Sequence, residues 1–285
     1  MMPARSIGIL HPGAMGAALA ASAKNSGCEV YWVSEGRSLR TRERAQGAGL
    51  ADAGTLAALC GTVPIIASVC PPEFAEATCA QVAAAGFRGT YLDANALSPE
   101  RKQRMALTME ASGVRFVDGG IIGLPGTPKG ETWLYLSGAA AAGAAASEVA
   151  EHFTAGPIAA EVIGGEIGRA SALKMCFAAH NKGSTALFSA VFAAARHYGV
   201  LDDLKRQWTR RGPSLPVVER EIARAAPKAW RFVHEMREIA ATLESAGLPP
   251  GFHQAAAEVY ERLREFKDAE GVSVEDVLRR IQGKG

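Results

Sequence analysis

A chain of 285 residues, 48 % hydrophobic and 21 % charged, has the make-up of an ordinary globular protein of two domains or one large one. Its net charge of +2, with the basic residues scattered, gives no footprint for nucleic acid. Cys28, Cys60, Cys70, Cys79 and Cys176 are odd in number and form no CxxC pair, which reads as reduced thiols. Met1-Met2-Pro3-Ala4-Arg5 runs straight into a short apolar stretch rather than a signal h-region, and no apolar run has membrane-spanning length, so a cytoplasmic location is expected.

Ser6–Leu10 predicts a strand, and Ala17–Ser26 a small-residue helix ended by Gly27. Glu29–Ser34 is rich in β-branched and aromatic residues, Pro64–Cys70 is an apolar run stopped by Pro71-Pro72, and Thr90–Asp93 makes a fourth strand. Ser98 as N-cap and Pro99 at the first helical position open the next helix. Arg115–Asp118 and Thr132–Ser137 read as further strands, and Ala139–Ala146 as the start of a surface helix. Strands separated by helices imply parallel βαβ units with right-handed crossovers. The pattern changes near Gly164-Gly165, and from Gly168 onward it is almost wholly helical. The Ala-rich segment Ala170–Arg196 would form a helix about 40 Å long at 1.5 Å per residue. Pro213, Pro216, Pro227 and Pro249-Pro250 punctuate the helices beyond it. The expected architecture is α/β, a doubly wound parallel sheet over residues 1–165 followed by an all-helical domain over residues 166–285.

The most informative segment is Ile7-Gly8-Ile9-Leu10-His11-Pro12-Gly13-Ala14-Met15-Gly16, which follows the first strand and opens a helix. A dinucleotide loop belongs there, because a helix N-terminus attracts pyrophosphate. Gly13 would let the backbone approach the phosphates, and Gly16 would let helix and strand pack closely. His11 stands where GxGxxG has its first glycine, so an ordinary strand-to-helix turn remains an alternative. The second strand ends at Ser34-Glu35-Gly36-Arg37-Ser38, with Arg40 and Arg42 beyond. Glu35 has the place of an acidic residue that binds the ribose hydroxyls of NAD. Arg37, Ser38 and Arg42 are suited instead to a 2′-phosphate, or to a solvated helix face. The balance favours NADP, with NAD as the alternative.

Lys174 lies among the apolar and small residues of 170–179, in a helix expected to be buried. Burying an ammonium is costly, and desolvation disfavours its charge, which suits proton transfer. The bland alternative is a lysine that snorkels out from one face. Asn181, seven residues on, shares that face, whereas the lone His180 does not and reads as structural. Asn95 is equally a polar ligand and a turn-forming residue. Trp230 and Phe232 read as core rather than as walls of a site.

These motifs resemble, in order and over most of the chain, those of the β-hydroxyacid dehydrogenases and 6-phosphogluconate dehydrogenases. His11-Pro12-Gly13-Ala14-Met15-Gly16 is similar to their GxGxMG loop, and Cys70-Pro71-Pro72 to the proline-containing loop after their fourth strand. Asp93-Ala94-Asn95-Ala96-Leu97-Ser98-Pro99 matches the loop that bears a small polar residue near nicotinamide and substrate. Asp118-Gly119-Gly120-Ile121-Ile122-Gly123 stands at the DAPVSGG substrate loop, and Ser171-Ala172-Leu173-Lys174 resembles the catalytic-lysine helix. His234-Glu235-Met236 falls where many members have Lys-Asp-Leu. The subgroup most resembled joins a 6-phosphogluconate-dehydrogenase-like N-terminal domain to a C-terminal domain of unassigned function.

The resemblance implies a Rossmann domain, a helical substrate and dimerisation domain, a homodimer, and a lysine that moves the proton on the substrate oxygen. It places cofactor contacts at His11, Pro12, Gly13, Ala14, Met15, Gly16, Ser34, Glu35, Arg37, Ser38, Cys70, Pro71, Pro72 and Asn95. Substrate contacts fall at Asn95, Gly119, Gly120, Ile121, Ile122 and Lys174, with Lys174 catalytic, and Asn181 joins it only from its place on the same helix face. Two departures matter. Phe177 and Ala178 stand where members carry Asn, or His and Asn, after the lysine, and Ile122-Gly123-Leu124 replaces Ser-Gly-Gly. With Gly119 and Gly120 replacing Ala-Pro, the site is expected to be roomier and less polar, for a substrate bulkier than small hydroxy acids. The expected activity is NAD(P)-dependent hydride transfer to or from a carbonyl or alcohol. Imine reduction, oxidative decarboxylation of a sugar acid, and nucleotide binding without turnover are the alternatives. No metal is expected.

Overall fold

Four-residue strands with every residue buried form the middle of the N-terminal unit: β1 (Ser6–Ile9), β4 (Ile65–Ser68) and β5 (Thr90–Asp93). Strands buried on both faces need helices above and below, which is why their sequences run apolar rather than alternating. The computed structural model describes residues 5–138 and 143–283. The chain divides into two compact units, Met1–Lys174 and Met175–Gly285.

The first unit holds one eight-stranded sheet in the order β3-β2-β1-β4-β5-β6-β7-β8. The remaining strands are β2 (Glu29–Trp32), β3 (Ala51–Asp52), β6 (Arg115–Ile122), β7 (Thr132–Ser137) and β8 (Ile158–Val162). Its helices are α1 (Ala14–Asn25), α2 (Leu39–Gly47), α3 (Leu56–Thr62), α4 (Ala75–Ala84), α5 (Pro99–Ala111) and α6 (Gly143–Ala150), with the start of α7 (Arg169–His197). Alternate residues feed opposite layers, as the two-residue strand period requires. Ile65, Ala67, Leu92 and Val117 join Leu19 and Val149 on one side. Ile66, Tyr91 and Phe116 join Met105 and Met109 on the other. β1 pairs with both β2 and β4, so the chain reverses its direction of travel across the sheet at that point, and open α/β sheets bind ligands in the crevice beyond the carboxyl ends of the strands at such a point.

The sheet is parallel, as expected, except at one pairing. β6 and β7 are antiparallel, because residues 123–131 are too few for a helical crossover. β6 also extends to Ile122, past the expected end at Asp118. β3 and β8 carried little sequence signal, one having two residues and the other an Ala-Ala centre and a half-exposed edge. Of the anticipated surface helix, Ala139–Ala142 lie outside the described residues; the remainder, α6, buries Ala145, Ala146 and Val149.

The second unit is helical. α7 continues to His197, followed by α8 (Leu201–Arg210), α9 (Leu215–Ala225), α10 (Ala229–Ser245), α11 (Gly251–Glu261) and α12 (Val274–Ile281). Pro216 sits in the first turn of α9, where its missing N–H costs nothing. α10 and α11 pair closely, with the Phe232 and Tyr260 rings 5.3 Å apart. Ser273 and Asp276 form a capping box that starts α12. No described helix is long and apolar enough to cross a membrane.

Candidate active site

The turn from β1 into α1 is built by close approach. A Cβ on Gly16 would collide with the His11 carbonyl oxygen, so only glycine lets α1 start against the loop. A Cβ on Gly13 would meet nothing within 4 Å, so that side of the loop is clear. Gly13 is the N-cap of α1 and supplies no side-chain cap, and the first-turn N–H groups of Ala14 and Met15 form the positive end of the helix. The His11 ring is half-buried, and among the described residues its Nδ1 has no partner. Burial first, and then the neighbouring Arg37 guanidinium, lower its pKa to about 4. Arg37 Nε is likewise buried without a partner among the described residues, and desolvation pulls its pKa down. This open, donor-rich edge fits a dinucleotide: α1 and Gly13 at the pyrophosphate, and Arg37 toward the ribose side.

The other two candidates for a 2′-phosphate have structural work. The Arg42 guanidinium donates to the carbonyls of Ser34 at 2.7 Å and Arg37 at 3.2 Å. The Ser38 hydroxyl caps α2 by accepting from the Thr41 N–H. Both shape the turn that carries Arg37. Glu35 is exposed on that turn, and Ser34 is buried.

Where the carboxyl end of β5 meets the middle of β6 lies a polar network that sequence reasoning missed. Asp93 and Asp118 stand opposite one another on the paired strands. Lys102, from α5, places its ammonium 2.6 Å from Asp93 Oδ1 and 3.3 Å from Asp118 Oδ1, and all three side chains are fully buried. Lys102 also donates to the carbonyls of Asp93 at 2.6 Å and Gly119 at 3.2 Å. Burial alone would depress the lysine; Asp93 and then Asp118 more than offset it, so its pKa is raised and it stays charged. Asp118 also accepts from Ser137 Oγ, the Gly168 and Ser171 N–H groups, and Ser171 Oγ. It thereby caps the first turn of α7 from a neighbouring strand. The signal in the sequence was a lysine on an apolar stripe, since Lys102, Met105, Ala106 and Met109 make up the buried face of α5.

Asn95 belongs to this network, and its amide serves the loops. Its Nδ2 donates to Asp93 Oδ2 at 2.7 Å and to Ser68 Oγ at 3.3 Å, while its Oδ1 accepts from the Cys70 N–H at 2.5 Å. These bonds are those of a loop-forming residue, the second of the two readings the sequence offered for it. Burial, then the nearby Asp93 carboxylate, push the Cys70 thiol up to about 11, so it is no nucleophile. Pro71 and Pro72 continue into a short 3-10 turn that leads to α4.

Lys174 is half-buried on α7, not enclosed as its apolar neighbours suggested. Leu173 and Phe177 beside it are exposed, so the apolar run does not mean a buried helix. Its seat is set by glycine. A Cβ on Gly120 would lie 2.6 Å from the Ala170 carbonyl oxygen and 3.1 Å from Lys174 Cβ, so α7 rests directly on β6. A Cβ on Gly119 would press on Leu92 Cδ1 at 2.8 Å. Both glycines are therefore buried packing positions, and the room they were expected to open is filled by α7 and Leu92. Ile121 points into the core, whereas Ile122 is half-buried and follows Gly120 on the same strand face.

In the helical unit Asn181 is exposed, its Oδ1 2.9 Å from His180 Nδ1. Glu235 pairs with Lys182, whose ammonium also lies 4.5 Å from the centre of the Phe232 ring. Trp230 is flanked by Arg231 and Lys267. Among the described residues no group of His, Cys, Asp and Glu is arranged to hold a metal.

A doubly wound sheet with a glycine turn at its point of reversal, and a helix N-terminus facing the crevice, defines a dinucleotide-binding protein of the Rossmann class. The NAD binding domain of 6-phosphogluconate dehydrogenase matches residues 6–171, more than half of the chain, and the chain belongs to that family. Residues 195–263 match a domain of unknown function, DUF1932. A comparison with curated proteins finds no match. Solved structures share the fold. A conserved protein of unknown function, described as structurally similar to 3-hydroxyacid dehydrogenases, is 24 % identical with a TM-score of 0.67, over 92 % of this chain and 97 % of its own. The 3-hydroxyisobutyrate dehydrogenase of Mycobacterium tuberculosis is 17 % identical with a TM-score of 0.71, over 99 % of this chain and 100 % of its own. A reductive aminase from Aspergillus terreus, solved with NADPH and ethyl levulinate, is 20 % identical with a TM-score of 0.56, over 99 % of both chains.

Proposed function

We propose that the chain is an NAD(P)-dependent oxidoreductase that moves hydride to or from a carbonyl or alcohol, with Lys174 as general acid and base. The observation that carries this reading is the seat of Lys174. It rides on the first turns of α7, where that helix presses on Gly120, at the carboxyl end of a nucleotide-binding sheet. A bound nicotinamide would supply or accept the hydride. Lys174 would then donate a proton to the carbonyl oxygen as it gains charge, and recover that proton in the reverse direction. Asn181, seven residues further along α7, is proposed to assist.

Arg37 supports NADPH over NADH, since its Nε is buried and without a partner among the described residues, beside the loop. Arg42 and Ser38, engaged within their own turn, add nothing to that preference. A bulkier substrate than the small hydroxy acids is supported by Ile122, which continues the Gly120 face where the family's loop carries a serine, and by the 42 %-exposed Leu124. Imine reduction is the second reading, on the likeness to the reductive aminase. Lys174→Ala should lower turnover on the best member of a carbonyl, alcohol and imine panel by roughly 10²–10⁴-fold. NADPH affinity by fluorescence titration and the melting temperature should stay near wild type. Turnover within a factor of a few of wild type would remove the lysine from the reaction, and imines as the best substrates would favour the second reading.

A further inference from the structure

We propose that Lys102 is a positioning residue, which holds the Lys174 helix and the Cys70 and Asn95 loops in one geometry at the carboxyl end of the sheet. The proposal rests on the reading of Lys174 just given. Two branches leave the Lys102 ammonium. One runs through Asp93 Oδ2 to the Asn95 amide, and from Asn95 Oδ1 to the Cys70 N–H. The other runs through the Asp118 carboxylate to Ser171 Oγ at 2.5 Å and to the Ser171 and Gly168 N–H groups, each at 3.0 Å. Ser171 is three residues before Lys174, so the group that fixes the first turn fixes the lysine.

The ammonium is what makes the two branches one object. Asp93 and Asp118 are register partners on neighbouring strands, at a spacing of about 5 Å. Without a cation between them, two fully buried carboxylates repel, and one must take up a proton and lose an acceptor site. Either the α7 cap or the Asn95 bridge then loosens. A lysine that merely filled space would need none of these partners, and the apolar face of α5 offers a methionine elsewhere for that purpose. Lys102 is 0 % exposed, so it acts through the groups it bonds, on Lys174 and the loops.

Amide hydrogen exchange tests this without a known substrate. In full-length Lys102→Met, the Cys70, Gly168 and Ser171 amides should exchange at least tenfold faster, while Ile7–Ile9 of β1 changes little. Ser171→Ala, which removes one hydroxyl and no charge, should accelerate Gly168 and Ser171 and spare Cys70, and it serves if Lys102→Met does not fold. Where a substrate is in hand, Lys102→Met should lower kcat at least tenfold in the wild-type background and under twofold in Lys174→Ala. Equal acceleration in β1, or unchanged exchange at Gly168 and Ser171 in either variant, overturns the proposal. Its failure stays distinct from failure of the Lys174 reading, because the exchange result does not depend on turnover.

Discussion

The two units treat charge in different ways. In the sheet unit, Lys102 on α5 and Asp93 and Asp118 on adjacent strands are fully buried together, and each is held by further hydrogen bonds. In the helical unit, most ion pairs lie at the surface and within one helix, as Arg224 with Glu221 at 3.1 Å, or join two exposed partners, as Arg280 with Glu265 at 2.7 Å. Large apolar side chains are uncovered in both units, Leu39 at 71 % and Leu107 at 67 % in the sheet unit, and in the helical unit some of them lie along α7. Phe177 is 46 % exposed, Leu187 45 % and Phe252 50 %. A buried, satisfied charge cluster fixes geometry, because breaking any part of it strands the rest in a low dielectric. Exposed apolar residues on a long helix fix nothing in the single chain, but suit a second surface. The buried cluster therefore bears on the geometry of the proposed site, and the exposed face of α7 is where an assembly surface is proposed.

The sharpest test of that contrast is thermodynamic. Asp118→Ala removes the acceptor of five donors and leaves Lys102 with half its compensation, which should cost about 3–5 kcal/mol in unfolding free energy. Glu221→Gln, in the surface pair of α9, should cost no more than about 0.5 kcal/mol. Urea unfolding of the two variants decides it. Similar losses would mean that the buried cluster does not hold the first unit as its geometry indicates.

The legibility of each unit in the sequence has the same root. The strands and the glycine turn were legible because strand cores are apolar runs bounded by Gly and Pro, and Thr90–Asp93 and Thr132–Ser137 fall where those bounds put them. The length of α7 was legible from its unbroken small-residue pattern. The antiparallel return of β7 was not, since strand direction is set by the length of the connection and not by strand composition. The buried cluster was hidden because Asp93, Lys102, Asp118 and Ser171 are far apart in sequence, and only the sheet register brings them together. Lys174 misleads in a different way. Its apolar neighbours have the composition of a buried segment, but while Ala170, Met175 and Ala178 are buried, Leu173 and Phe177 lie exposed on α7.

That exposed face is the basis for proposing a homodimer through the helical unit. Leu187→Asp, far along α7 from Lys174, should weaken self-association at least a hundredfold, or about 2.7 kcal/mol. Light scattering at micromolar concentration reads the outcome. A monomer in the wild-type protein at that concentration would remove the dimer from consideration and leave the face for another surface. In the sheet unit the parallel test concerns the cofactor. Arg37→Ala should weaken NADPH by about 1.5–3 kcal/mol and NADH by much less, the loss expected of one charge-assisted contact to a phosphate. Equal losses for both, or wild-type affinities that do not differ, would shift the ribose contact to Glu35.

The smallest expected effect lies in His11, and it bears on whether the loop is kept ready for an anion. Burial and Arg37 lower its pKa from 6.5 to about 4, so the folded protein holds it neutral where the unfolded chain would protonate it. Between these two values the unfolded state binds more protons, so stability rises with pH through that window and is lost as pH falls through it. The contribution is complete above about pH 6.5 and gone near pH 4, and after allowance for the partial exposure of the ring it amounts to about 1–2 kcal/mol. His11→Asn keeps a small polar side chain and removes the titration, so its unfolding free energy should fall less steeply than that of wild type between pH 6.5 and 4. A phosphate entering beside Gly13 would oppose the Arg37 field and favour the protonated ring. NADPH binding at pH 5.5 should therefore take up a fraction of a proton in wild type and less in His11→Asn, as measured by titration calorimetry in buffers of different ionisation enthalpy. Identical pH slopes for the two proteins would mean that the ring is solvated in solution and the loop is not a desolvated anion site. An unchanged proton uptake with a changed slope would keep the burial of His11 but separate it from the cofactor.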